Sequence, residues 1–191
     1  MRKRGIVAMI LGLIMILGAL GLSLYNAREE SEAYAASEEI LPELEKSIIE
    51  LKADYSKKTV VMEDGNEYIG ILDIPSQGIR LPVLSSWSYP LLKIAPCRYS
   101  GYFDDEAFVI AGHNYARHFA NLGKLVEGDK IYFTDVTGVK FAHTVKGVEI
   151  LGRTQVEEMK NEDWDLTVFT CDYRGRMRVT VRCTRDAIQN D

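Results

Sequence analysis

The sequence predicts a mainly β domain, a sandwich or barrel with short helices, preceded by an N-terminal transmembrane helix and an amphipathic helix. Three observations carry this. Gly5 to Ala27 is a run without a single charged residue. Between Ile40 and Tyr55 an apolar stripe recurs at helical spacing. From Tyr68 onward, short apolar runs are separated by turn residues. The bulk numbers agree: 191 residues that are 47% apolar and 9% aromatic exclude a wholly disordered chain, and no repeat at solenoid periods is present.

The uncharged run is the first element. A helix needs about 20 apolar residues to cross the hydrocarbon core, and Ile6 to Leu24 is almost entirely Ile, Leu, Met, Val, Ala and Gly. Arg2, Lys3 and Arg4 precede it, which keeps residues 1–4 in the cytoplasm and sends the rest of the chain across the plasma membrane. Tyr25 stands where an interfacial aromatic is common. The competing reading is a cleaved signal peptide, but such apolar regions run to about 7–15 residues and this one is longer. The Ala33-Tyr34-Ala35 triplet lies too far downstream for its cleavage site.

The second element is a stalk. Ile40, Leu44, Ile48, Leu51 and Tyr55 form one stripe of an amphipathic helix, with Pro42 expected in its first turn or at a kink. The bland role is packing on the domain; a regulatory role, covering the functional site, is the alternative. Ser56-Lys57-Lys58 reads as an exposed linker. The sequence thus divides into a tail (1–4), an anchor (5–27), a helical stalk and linker (28–64) and a β-rich domain (65–191).

In that domain, strands are expected at 68–74, 79–84, 108–110, 130–133, 140–145, 166–171 and 177–183, with helical stretches at 119–125 and 156–159. The last two strands allow a register. With Arg174-Gly175 as a two-residue hairpin loop, Cys171 falls opposite Arg178, Phe169 opposite Thr180 and Thr167 opposite Arg182. The other face pairs Thr170 with Val179, Val168 with Val181 and Leu166 with Cys183, and is apolar enough to be buried. A strand-end thiol beside a guanidinium is a candidate nucleophile, because positive neighbours favour the thiolate and a guanidinium can stabilise an oxyanion. The missing acid/base group is sought among His113, His118 and His143. His113 follows the apolar Val109-Ile110-Ala111-Gly112, where a strand end can point a side chain into a cleft; the other two read as solvated.

Charge and cysteine usage exclude other functions. The chain carries 23 basic and 28 acidic residues for a net −5, and the basic tail leaves the remainder more acidic still, against nucleic-acid binding. Three cysteines with no CxxC pair argue against a disulfide scaffold or a zinc site. Cys183 reads as a core thiol and Cys97 as a structural loop residue, with a bridge between them left open. Asp104-Asp105-Glu106 and Glu157, Glu158, Glu162 and Asp163 could recruit Ca2+, but neither group has EF-hand spacing; no cofactor is expected.

Five segments together resemble the sortase family, the cysteine transpeptidases of Gram-positive cell surfaces. Leu166-Thr167-Val168-Phe169-Thr170-Cys171 resembles its TLxTC motif, Ile110-Ala111-Gly112-His113 its strand-end histidine, and Arg178-Val179-Thr180-Val181-Arg182 its arginine strand. Tyr68 to Val83 resembles the opening strands, and Phe119-Ala120-Asn121-Leu122 through Gly128-Asp129-Lys130-Ile131 the helix and following strand. Val168 stands where Leu is usual and Asn114 where Arg is frequent. The short interval between Cys171 and Arg178 looks closer to class B or class D than to class A. The resemblance implies a sortase-like β-barrel over 65–191. It also implies an enzyme in which Cys171 attacks the threonine carbonyl of an LPxTG-like sorting signal. His113 then serves as acid and base, and Arg178 holds substrate and oxyanion. The implied partners are surface proteins bearing that signal, and an amine of a peptidoglycan precursor or a pilin lysine. A thiol endopeptidase using water, or a noncatalytic surface-binding domain, are the alternatives. Specificity is expected from the segment between Gly147 and Asp165.

Overall fold

The computed structural model describes residues 2–51, 58–62, 64–104, 107–172 and 175–187, with side chains from residue 5. Helix α1 (Arg2–Leu51) is followed by β1 (Val60–Val61), β2 (Glu67–Ile74), β3 (Ile79–Leu84) and the single-turn α2 (Tyr89–Leu92). Then come β4 (Cys97–Ser100), β5 (Phe108–Gly112), β6 (Lys130–Asp135), β7 (Lys140–Gly152), the short α3 (Val156–Met159), β8 (Leu166–Cys171) and β9 (Met177–Arg185).

The strands form a closed barrel. Around it the order is β2-β3-β4-β5-β8-β9-β7-β6, and β6 pairs back onto β2 to remove both free edges, while β1 lies outside against β2. Two parallel contacts interrupt the antiparallel run, β3 with β4 and β5 with β8. The interior is filled by alternate strand residues such as Ile69, Leu72, Phe108, Ile110, Phe133, Val168 and Val181. A second apolar layer lies on the outer surface, where Ile40, Leu44 and Ile48 of α1 cover Tyr68, Ile71 and Leu84. This explains why β2 reads as a continuous apolar run: one face fills the barrel and the other lies under α1.

The register read for the last two strands is the one observed, from Leu166 opposite Cys183 to Cys171 opposite Arg178. Their connection differs in detail. Gly175 takes the left-handed conformation (φ +63°) and its N–H bonds the Asp172 carbonyl, while the Asp172 carboxylate accepts from Arg176 and Met177 N–H. Arg174, half of the expected two-residue loop, lies outside the described residues, as do Tyr55, Ser56 and Lys57 of the stripe and linker.

Other expectations are corrected. α1 is one uninterrupted helix, with Pro42 in its interior on the solvent side rather than in a first turn. The 119–125 stretch is a turn leading into a 3₁₀ segment at Leu122–Lys124. Cys97 belongs to β4, not to a loop, and Cys97 and Cys183 are separate buried thiols, each pushed up to about 12 by burial. β7 runs on to Gly152, so the first six residues of the expected specificity segment are strand. Arg182 is buried and occupied by Glu149, the Thr167 hydroxyl and the carbonyls of Glu158 and Met159.

His118 and His143 are not solvated. Their exposures are 1% and 0%, and burial lowers each to about 4. The unfolded chain, with histidines near 6.5, binds protons that the folded chain refuses between about pH 4 and 6.5. Stability is therefore complete above that window and falls as pH drops through it. Thermal melts across it should show a falling midpoint in the wild type. They should show a much flatter one in a His118→Leu, His143→Leu variant; an unchanged slope would assign the acid sensitivity elsewhere.

Candidate active site

The site forms where three neighbouring strands end. Parallel pairing aligns β5 and β8 residue for residue up to Gly112 opposite Thr170, so His113 and Cys171 are the next residues along adjacent strands. Neighbouring strands lie about 4.8 Å apart. The Thr170 hydroxyl donates to the Gly112 carbonyl at 2.9 Å and ties the two ends together. Antiparallel β9 then sets Arg178 opposite Cys171.

Gly112 is required by packing. A Cβ there would come within 2.1 Å of the Phe119 ring. That ring arrives because the chain after His113 turns back: Phe119 N–H bonds the His113 carbonyl at 3.3 Å, and His118 and Ala120 N–H share the Tyr115 carbonyl. The same turn lays the Tyr115 ring flat on the imidazole of His113, with centroids 4.2 Å apart and planes 3° from parallel. The imidazole is thereby held on one face.

Cys171 is the one exposed cysteine and shares an open cleft with His113, Tyr115 and Asp172. The opposite wall comes from α1, through Asn26, Glu29 and Glu30. Glu29 is ion-paired with Lys93, and Glu30 accepts a hydrogen bond from Ala116 N–H, which anchors this wall to the His113 turn. Because Cys171 remains exposed, α1 is a wall of the cleft and not a plug. Burial lowers His113 from the ordinary histidine range; the Glu29 carboxylate opposes this and Lys93 reinforces it. Burial and the Glu29 carboxylate raise the Tyr115 hydroxyl.

Arg178 stands at the register position read from sequence, but its guanidinium is engaged along the strand. It donates to the Arg153 carbonyl and lies 5.5 Å from the Phe169 ring centre. Its Nε is buried without an acceptor. The structure thus brings His113 and Cys171 into one cleft, with Arg178 beside it. The α1 carboxylates and Tyr115 were missed from sequence. Tyr115 had a signal, an aromatic two residues after the histidine; the carboxylates, some 80 residues upstream, had none.

Residues 72–186 match the family model described as the sortase domain. This chain belongs to the sortase family. A curated relative, Sortase A of Bacillus anthracis, is 31% identical over 114 residues, covering 56% of this chain and 54% of the relative. The chain therefore spans about half the length of that relative. Among solved structures, a Clostridium perfringens Sortase D5 transpeptidase superposes with a TM-score of 0.62 at 21% identity, covering 82% of this chain and 99% of that one. Sortase A from Corynebacterium diphtheriae gives 0.58 at 23% identity, covering 66% and 64%. At these identities the likeness is one of fold, and it agrees with the closed eight-stranded sortase barrel described above. The names of the similar solved structures span classes A, C and D, so the leaning toward class B or D rests on the short Cys171–Arg178 connection alone.

Proposed function

We propose that this sortase is a membrane-anchored cysteine transpeptidase, with its catalytic domain outside the plasma membrane and residues 1–4 in the cytoplasm. The observation that carries the reading is the meeting of Cys171 and His113, from the ends of adjacent parallel strands, in an open cleft. The anchor rests on α1, which is long and apolar enough to cross a membrane.

In the proposed reaction His113 takes the proton of the Cys171 thiol, and the resulting thiolate adds to the threonine carbonyl of an LPxTG-like signal. The tetrahedral intermediate collapses as His113 protonates the departing amine, which leaves a thioester on Cys171. An acceptor amine then loses a proton to His113 and attacks the thioester, forming a new amide and releasing the thiolate. Splitting one amide exchange into two acyl transfers replaces a difficult step with two easier ones. Arg178 serves substrate and oxyanion once its guanidinium leaves the Arg153 carbonyl; its unpartnered buried Nε supports that role. The substrates are surface proteins with the sorting signal, and the acceptor is an amine of a peptidoglycan precursor or a pilin lysine.

The test is incubation of the full chain with an LPxTG-type peptide and a large excess of an amine nucleophile, followed by mass spectrometry. The amide product is expected to dominate. Hydrolysis product alone would make the protein a thiol endopeptidase, and no acyl-enzyme at all a noncatalytic surface domain.

A further inference from the structure

We infer that α1 holds the catalytic cleft within the headgroup layer of the bilayer, so that the enzyme works on membrane-tethered peptide at a set height. The inference rests on the transpeptidase reading and adds where its substrate is presented.

The first support is that anchor and site share one helix. The apolar stretch of α1 is entirely unburied by the rest of the protein. Ile6 to Tyr25 supplies the roughly 20 residues that a span requires. Asn26 follows directly and already lines the cleft with His113 and Cys171. At about 1.5 Å per residue, Glu29 lies about 6 Å beyond Tyr25 along the helix axis, and Glu30 about one residue further. The headgroup region adds roughly 5–8 Å on each side of the hydrocarbon core. The cleft wall falls inside that layer.

The second support is that the height cannot relax. No break separates the apolar stretch from the docked half, since α1 is helical from Arg2 to Leu51. The docked half is clamped to the barrel along its length. Ala33, Ser37, Ile40, Leu44 and Ile48 are buried in one stripe. The Ser37 hydroxyl donates to the Ile94 carbonyl at 3.1 Å, Arg117 covers the Tyr34 ring at 4.0 Å, and Arg80 grips Glu45 at 2.8 Å. A flexible stalk would let the barrel drift outward; this one transmits the membrane's position to Cys171. Tyr25 stands at the same level in the adjoining groove, an aromatic as suits a headgroup boundary, beside Arg28 and Lys93, which are paired with Glu32 and Glu29.

Tethering makes the encounter intramolecular in effect, and only a substrate whose scissile bond lies close to the surface gains. The experiment uses the full chain in vesicles of phosphatidylcholine and phosphatidylglycerol. Two sorting peptides are compared, one free and one acylated through a short linker. A second protein carries fourteen helix-forming residues inserted between Tyr25 and Asn26, which lifts the barrel by about 21 Å and leaves the docked half of α1 untouched. The wild type should turn over the acylated peptide at least ten-fold faster than the free one. The insertion should erase that advantage and leave free-peptide turnover within two-fold, and a longer peptide linker should restore it. As a readout independent of turnover, a fluorophore on Cys171 should be quenched by headgroup spin-labelled lipid in the wild type and not in the insertion variant. An acylated peptide with no advantage, an advantage that survives the insertion, or an unquenched wild-type label overturns the inference while free-peptide turnover stands. Absence of any acyl-enzyme from either peptide instead sinks the transpeptidase reading, and this inference with it.

Discussion

Replacing Cys171 with alanine should lower transpeptidation by on the order of 10⁴-fold or more and eliminate the peptide-sized mass increase of the acyl-enzyme. No neighbouring group can substitute. The other two thiols are fully buried and held in their protonated form, and Cys171 alone faces the cleft. The fold should not change. Cys171 is an exposed last residue of β8, and surface truncations cost about 0.5 kcal/mol or less. The check pairs intact-protein mass spectrometry with a thermal melt. A stable variant that keeps even a tenth of the activity would remove Cys171 from the mechanism.

Replacing His113 with alanine should cost about 10²–10⁴-fold in kcat/KM, the usual worth of a positioned acid or base. The pH profile separates this role from a structural one. His113 is buried enough to lie below the ordinary 6.5 of histidine, so the acid limb of the wild-type profile should fall below that value. As pH drops through the limb, His113 becomes protonated and can no longer accept the proton of the thiol or the incoming amine. In the alanine variant the limb should vanish. Glu29→Gln should move it lower still, since the Glu29 carboxylate is what opposes burial at His113. An unshifted acid limb in His113→Ala would assign it to another group.

The β8–β9 pairing was legible because strand alternation is strict. One face of Leu166–Cys171 is apolar and the other ends in a thiol, and a slip by one residue would expose the whole apolar set. The strand-end histidine was legible for a similar reason, because Phe108–Gly112 is too short and too apolar to be anything but a buried strand. His143 was misjudged by its polar residue type rather than by its place in the strand. In β7 it shares a face with Val145 two residues on, and both are fully buried, so alternation places the imidazole inside although histidine is polar. Cys97 was placed in a loop because β4 is only four residues long and touches β3 through a single parallel pair.

The stalk shows the same division. Ile40, Leu44 and Ile48 announce a docked helix by their spacing. Ala33 and Ser37 extend the stripe toward the cleft unannounced, because small residues carry little hydropathy even when close packing demands them.

From the residues alone came the apolar span, the β character of the domain, the Cys171–Arg178 pairing and the choice of His113. All of these rest on short-range periodicity or on motifs read along the chain. The folded chain alone decided that β5 lies parallel to β8, that α1 runs unbroken into a wall of the cleft, and that two histidines are buried. Those depend on which surfaces meet after barrel closure. Contacts between residues some 60 to 150 positions apart leave no periodic trace in a single sequence, because the solvent that each surface loses is set by its partner and not by its own neighbours.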